Sequence, residues 1–67
     1  MPVKNRLREI RMQNYLMNQK QFSTEVLDMD YRKYNHYEKG TVPSGETMLY
    51  IAKKLNMYVE DIFYLVE

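Results

Sequence analysis

The apolar residues of this chain recur at helical spacing, and no stretch alternates in the way that predicts a β-strand. Val3, Leu7 and Ile10 make the first apolar stripe, on a helix that should end near residues 14–15. Asn14 is the expected end, because asparagine adopts a left-handed cap more readily than most residues. The whole pattern predicts an all-α domain of five short helices with no strand.

Two further helices are predicted in the middle of the chain. Asn18 and Gln21 have the three-residue spacing of a capping box, which marks the start of the second helix. A brief turn at residues 28–29 follows, and a third helix should run from residue 31 to about residue 39. Gly40 then has the usual role of a glycine that ends a helix.

Hydrogen-bond acceptors stand where the third and fourth helices should begin. Asp30 precedes the third helix and Ser44 precedes the fourth, and both are favoured N-cap residues. Asn56 is expected to end the fourth helix. The apolar spacing of residues 59–66 then predicts a short fifth helix.

The third predicted helix, "YRKYNHYEK", has two different faces. Tyr34 and Tyr37 fall close together, and we expect them to pack in or against the core. Arg32, Asn35 and His36 cluster on the opposite side. Arginine and asparagine are the commonest readers of base edges, so this polar side is a candidate for DNA recognition. The solvated side of an ordinary amphipathic helix gives the same pattern and stays open as an alternative.

Composition restricts the class of protein. Sixty-seven residues make a single domain, residues 1–67, near the lower limit at which a core holds a fold unaided. The chain has no cysteine and one histidine, so we expect no disulfide, no metal site and no cofactor. No apolar run is long enough to cross a membrane and no signal peptide is evident, which predicts a cytoplasmic protein.

Charge is unevenly distributed, although the net value is only +1. Residues 1–40 carry eight Lys or Arg against five acids, and residues 41–67 carry two Lys against four acids. The first part could therefore attract a polyanion weakly, but a solvated helical surface often gives the same count.

An enzyme is not expected. His36 has no Ser or Cys nucleophile nearby in the sequence, and there is neither a glycine-rich phosphate loop nor an obvious pair of carboxylates. No site for a small-molecule effector is evident either. A binding protein is the more economical interpretation.

The order and spacing of the segments resemble the Cro/C1-type (XRE-family) helix-turn-helix DNA-binding domains of phage repressors and bacterial regulators. The resemblance covers about residues 4–64, and the segments that carry it are "NRLREIR", "NQKQF", "YNHYEKG", "VPSGETMLYIAKKLN" and "VEDIF". It implies a five-helix, lambda-repressor-like domain with the helix-turn-helix at about residues 18–39. It also implies a sequence-specific transcription regulator, such as a small phage, prophage or bacterial repressor.

In that family the opening residues of the third helix read bases in the major groove. We expect Arg32 to contact a guanine edge and Tyr31 to pack on a thymine methyl group. Asn35 or His36 would reach an adjacent base or phosphate.

Contacts with the DNA backbone are expected around this helix. The family's glutamine at the start of the second helix touches a phosphate and matches Gln19. The loop after the third helix donates backbone N–H groups to a phosphate, and it matches Gly40 and Thr41. Lys20 and Lys33 are expected to add charge contacts, which position the protein without reading sequence.

The resemblance also implies an ion pair between Arg11 and Glu38, which would fix the reading helix against the first helix. Two departures from the family pattern concern length: one extra residue lies between Arg11 and Gln19, and a second lies between Ser23 and Asp28. Asp28 also replaces the usual turn glycine, although aspartate tolerates left-handed geometry better than most residues.

A homodimer on a palindromic operator is expected, because one module of this size touches few bases. Tyr50, Tyr64 and Leu65 lie off the apolar stripes and are candidates for the dimer interface, with ordinary surface hydrophobics as an equal alternative. A second functional class stays open. It is a protein-interaction module on the same scaffold, such as an antitoxin or antirepressor-like partner, since tyrosine is enriched in protein interfaces.

Overall fold

The structure, a computed structural model, describes residues 2–66. Five helices and two short strands follow one another: β1 (Val3–Asn5), α1 (Leu7–Ile10, continued by the π-helix Arg11–Tyr15), α2 (Gln19–Gln21, continued by the π-helix Phe22–Val26), α3 (Tyr31–Lys39), α4 (Gly45–Leu55), α5 (Val59–Ile62) and β2 (Phe63–Leu65). The five predicted helices are therefore present and the chain is mostly helical. No helix among the described residues is long and apolar enough to cross a membrane.

The two strands pair with each other, and the prediction of an all-α chain without strands is wrong. β1 and β2 are antiparallel, with Val3 opposite Leu65, and the Arg6 N–H donates to the Ile62 carbonyl at 2.8 Å at one end of the ladder. Val3 is therefore not helical, and the predicted fifth helix over residues 59–66 stops early. A strand of three residues is too short to show a usable periodicity, and its pairing partner lies at the far end of the chain.

α1 and α2 each end in a π-helical turn, at Arg11–Tyr15 and Phe22–Val26. In α2 the Leu27 N–H donates to the Phe22 carbonyl, five residues back, at 3.1 Å. A π-helical turn holds one more residue than an α-helical turn. Each of these two helices therefore ends in a turn that is one residue longer than an α-helical turn.

Two non-glycine residues with positive φ mark the turns around α2. The left-handed residue after α1 is Leu16, with φ 55°, so the prediction of Asn14 at this place is wrong. The π-helical turn extends the first helix and moves its end beyond Asn14. Asp28, with φ 51°, adopts the left-handed turn as predicted.

The predicted helix boundaries of α2, α3 and α4 are confirmed by their caps. A side chain accepts a hydrogen bond from the first turn of each helix, and the three residues are Asn18, Asp30 and Ser44. Gly40 and Asn56 end α3 and α4 with positive φ, as expected. The position of α3 between its cap and its glycine is therefore determined by local chemistry.

One hydrophobic core joins the elements. Its buried members are Leu7, Ile10, Phe22, Leu27, Tyr34, Tyr37, Ile51, Ala52, Leu55, Ile62 and Phe63. The Phe22 ring stands edge-on to Tyr15 and Tyr34, with centroid distances of 5.0 and 5.5 Å. Ser23 is fully buried, in agreement with the small residue that a close approach of α2 and α3 requires. The core thus holds α3 by its aromatic side.

Candidate nucleic-acid interface

The polar side of α3 is accessible. Arg32 and His36 are exposed, and Asn35 is half-buried. Lys39, which lies two helical turns after Arg32, is on the same stripe and is also exposed. Sequence reasoning missed Lys39, although the helical projection continued by one more turn would have found it. The accessible stripe therefore extends along the whole of α3.

The opposite side of α3 is core, as predicted. Tyr34 is 0% exposed and Tyr37 is 6% exposed. Two large aromatic side chains on one face bury much apolar area, which favours a single orientation of the helix over alternatives. The polar stripe is consequently presented in a fixed direction.

Two residues flank the stripe at the start of α3. Tyr31 is 37% exposed, so part of its ring is available to a partner. Lys33 is exposed and lies about 100° around the helix from Arg32. Lys33 borders a shallow groove together with Met29 and Tyr50. Its position beside the stripe suits a contact with a phosphate better than a contact with a base.

Arg11 and Glu38 form the ion pair that the family resemblance implies. The Arg11 Nε lies 2.8 Å from the Glu38 Oε2, and the two side chains are 12% and 4% exposed. The Arg11 Nη1 also donates to the Met17 carbonyl at 2.9 Å. The pair therefore ties the last turn of α3 to the first helix and to the chain that precedes α2.

Gln19 is part of the same network. Its Nε2 donates to the Glu38 Oε1 at 2.9 Å. An amide nitrogen carries two hydrogens, so one stays available for another acceptor such as a phosphate. The neighbouring Lys20 is exposed. Gln19 is thus held by the ion pair at the start of α2, and its amide is only partly used.

The network changes the titration of its members. Burial by itself raises the pKa of Glu38, but hydrogen bonds from its neighbours, chiefly from Arg11, outweigh burial and lower it overall. Burial also raises the pKa of Tyr34, and the negative charge of Glu38 acts in the same direction. The buried Tyr34 hydroxyl has no partner at hydrogen-bonding geometry among the described residues, so we attribute the effect of Glu38 to its charge. Glu38 is therefore ionised and Tyr34 is neutral at neutral pH.

The loop after α3 does not offer the backbone donors that the resemblance implies. The Gly40 N–H donates to the Tyr37 carbonyl at 3.1 Å, and the Thr41 N–H donates to the His36 carbonyl at 3.0 Å. This is the bonding of a Schellman cap, which uses both N–H groups to satisfy the last carbonyls of the helix. Both N–H groups are therefore already used within the chain, and a contact of Gly40 and Thr41 with a phosphate stays a prediction. The Thr41 hydroxyl is the donor that stays available there.

The three residues expected at a dimer interface have different surroundings. The Tyr50 hydroxyl donates to the Asp28 carbonyl at 3.3 Å, so Tyr50 supports the turn before α3. Tyr64 and Leu65 are neighbours on β2, and the Arg6 guanidinium stands 4.7 Å from the centre of the Tyr64 ring. Tyr50 and Tyr64 therefore have different partners, Asp28 for the first and Arg6 for the second.

Comparisons of the chain with protein-family models, with curated proteins and with solved structures find no match. The functional conclusion therefore depends on the side chains described above.

Proposed function

We propose that this protein is a sequence-specific regulator that binds duplex DNA, a Cro/C1-type helix-turn-helix protein with a lambda-repressor-like fold that inserts α3 into the major groove. The observation that supports this best is the combination of an accessible donor-rich stripe on α3 with a rigid attachment behind it. Tyr34 and Tyr37 anchor the helix from the core, and Glu38 anchors its last turn to Arg11. Base reading requires such support, because side chains on a loosely held helix cannot keep hydrogen-bonding geometry.

The roles on α3 follow from side-chain chemistry. Arg32 can donate two hydrogen bonds to the O6 and N7 atoms of guanine. Asn35 or His36 reaches the next base or its phosphate, and the exposed part of Tyr31 packs on a thymine methyl group. Each good contact of this kind is worth about 1–3 kcal/mol of discrimination between bases.

Backbone contacts surround the stripe. Gln19 keeps one amide hydrogen for a phosphate, and Lys20 and Lys33 supply positive charge beside it. The Thr41 hydroxyl replaces the N–H donors that the cap of α3 uses. These contacts hold the domain on the duplex and carry no sequence information.

The same proposal includes a homodimer on a palindromic operator and a place of action at the chromosome in the cytoplasm. A module of this size recognises too few base pairs alone, and two-fold symmetry doubles the site. Tyr64 and Leu65 on β2 are the candidates for the contact, because Tyr50 is engaged with the turn. Sedimentation at micromolar concentration tests this part. A strict monomer, both free and on DNA, would refute the dimer.

The experiment that tests the function is selection of bound sites from a pool of random duplex DNA, with wild type and Arg32→Ala in parallel. Wild type should enrich one motif. Arg32→Ala should lose about 1–3 kcal/mol on that motif and accept several bases at one position. Equal loss on every sequence would assign Arg32 to a phosphate contact. A pool without enrichment would refute sequence-specific binding.

Two observations favour the alternative class, a protein-interaction module such as an antitoxin or antirepressor-like partner. The Gly40 and Thr41 N–H groups already donate to carbonyls of α3. Tyr31 is partly exposed, and tyrosine is common in protein interfaces. Salt separates the two classes. DNA binding weakens steeply with rising salt, whereas an aromatic contact with a protein does not.

A further inference from the structure

The pairing of β1 with β2 places a residue from the start of the chain beside the end of α3. The Asn5 Nδ2 donates to the Tyr37 carbonyl at 2.9 Å, while the Asn5 Oδ1 accepts the Leu7 N–H at 3.1 Å. β1 is therefore fastened both to α3 and to α1. Lys4, on this strand, borders the same shallow groove as Lys39.

The groove between β1 and α3 carries uncompensated positive charge. Lys4 and Lys39 are both exposed, and neither forms an ion pair within residues 2–66. Glu38 also borders the groove, but its side chain is 4% exposed and is paired with Arg11. Its charge is thus already balanced inside the molecule.

The end of a helix carries partial negative charge, which would oppose an anion here. In α3 this effect is reduced, because the last carbonyls accept hydrogen bonds. Tyr37 receives the Asn5 amide and the Gly40 N–H, and His36 receives the Thr41 N–H. The two lysines therefore dominate the local field.

The position of the groove along α3 indicates which part of a duplex it would meet. The rise from Arg32 to Lys39 is about 10 Å, and the major groove of B-DNA is about 12 Å wide. If Arg32 reaches bases, a cation beyond Lys39 lies over the edge of the groove, where the phosphates are. We propose that Lys4 on β1 forms, with Lys39, a second phosphate-binding site that extends the interface beyond the helix-turn-helix. This site rests on the proposed function, since its ligand is the phosphodiester backbone of the same duplex.

The test is the salt dependence of DNA binding by the full chain. Each phosphate contact contributes about 0.9 to the slope of log affinity against log salt. Lys4→Gln should make this negative slope shallower by about 0.9, and the double variant Lys4→Gln, Lys39→Gln should make it shallower by about twice that amount. The loss should be the same on the selected motif and on random duplex, because phosphates carry no sequence information.

Lys53→Gln is the matched control. Lys53 is exposed in the last turn of α4, so the change removes the same charge from a different surface. Its slope should equal that of wild type, and thermal unfolding should show that all variants are folded. A wild-type slope for Lys4→Gln would overturn the second site and leave the proposed function intact. A wild-type protein that binds no duplex would overturn the proposed function, and the second site with it.

Discussion

The ion pair between Arg11 and Glu38 allows a worked prediction of stability. Glu38→Gln keeps the shape of the side chain and removes its charge. The Glu38 side chain is 4% exposed and that of Arg11 is 12% exposed, so the variant leaves a guanidinium almost buried without a counter-charge. Removing one partner of a buried pair costs about 3–5 kcal/mol. We expect about 3 kcal/mol, the lower end, because Arg11 keeps its hydrogen bond to Met17.

That loss is large for this chain. A domain of 67 residues has a total stability of about 3–10 kcal/mol. Urea unfolding followed by far-ultraviolet circular dichroism measures the change in the free energy of unfolding. Glu25→Gln is the control, because Glu25 is exposed and its loss should change stability by less than about 0.5 kcal/mol.

Acid provides a second measurement on the same pair. The pKa of Glu38 is below its ordinary value of 4.5 in the folded protein, so its contribution is present above pH 4.5 and is lost as the pH falls through the folded pKa. Wild type should therefore lose stability below pH 4.5 by more than Glu38→Gln does. The reasoning is refuted if Glu38→Gln is as stable as Glu25→Gln at neutral pH and shows the acid sensitivity of wild type.

Two further changes test single features of the fold. Tyr34→Phe removes a buried hydroxyl that has no hydrogen-bond partner within residues 2–66, so stability at neutral pH should stay equal or rise by about 1 kcal/mol in urea unfolding. The pKa of Tyr34 is raised above 10.0, so wild type should lose more stability than Tyr34→Phe as the pH rises beyond 10.0. If Tyr34→Phe instead loses more than about 1 kcal/mol at neutral pH, the hydroxyl makes a real hydrogen bond. Leu16→Gly relieves a left-handed conformation at a side chain that is 84% exposed, and the free energy of unfolding should rise by about 0.5–1 kcal/mol. A lower thermal midpoint for Leu16→Gly would mean that the leucine side chain packs after all.

The parts of this fold that depend on short-range chemistry were predictable. The caps at Asn18, Asp30 and Ser44 and the two faces of α3 follow from residue type and a period of 3.6, which act within a few positions. The strands were not predictable in this way. Each has three residues, and β1 is extended because β2, at the far end of the chain, pairs with it.

For the candidate interface, the ion pair between Arg11 and Glu38 came from the family resemblance and from no local pattern. The expected N–H donors at Gly40 and Thr41 show the opposite case. A glycine that ends a helix in a Schellman cap commits its own N–H and the next one to the helix, so a sequence that predicts the cap already argues against those donors. The position of Lys4 could not be predicted for the same reason as the strands, because its place beside α3 depends on a long-range pairing.

The two π-helical turns affect how this chain compares with others. Each is the last turn of its helix and holds one residue more than an α-helical turn, while core residues still lie on both sides of it. A comparison that counts positions at the α-helical interval is shifted by one residue at each of these turns. Similarity between this chain and other helical proteins is therefore better judged by superimposing the helices than by counting residues between matched positions.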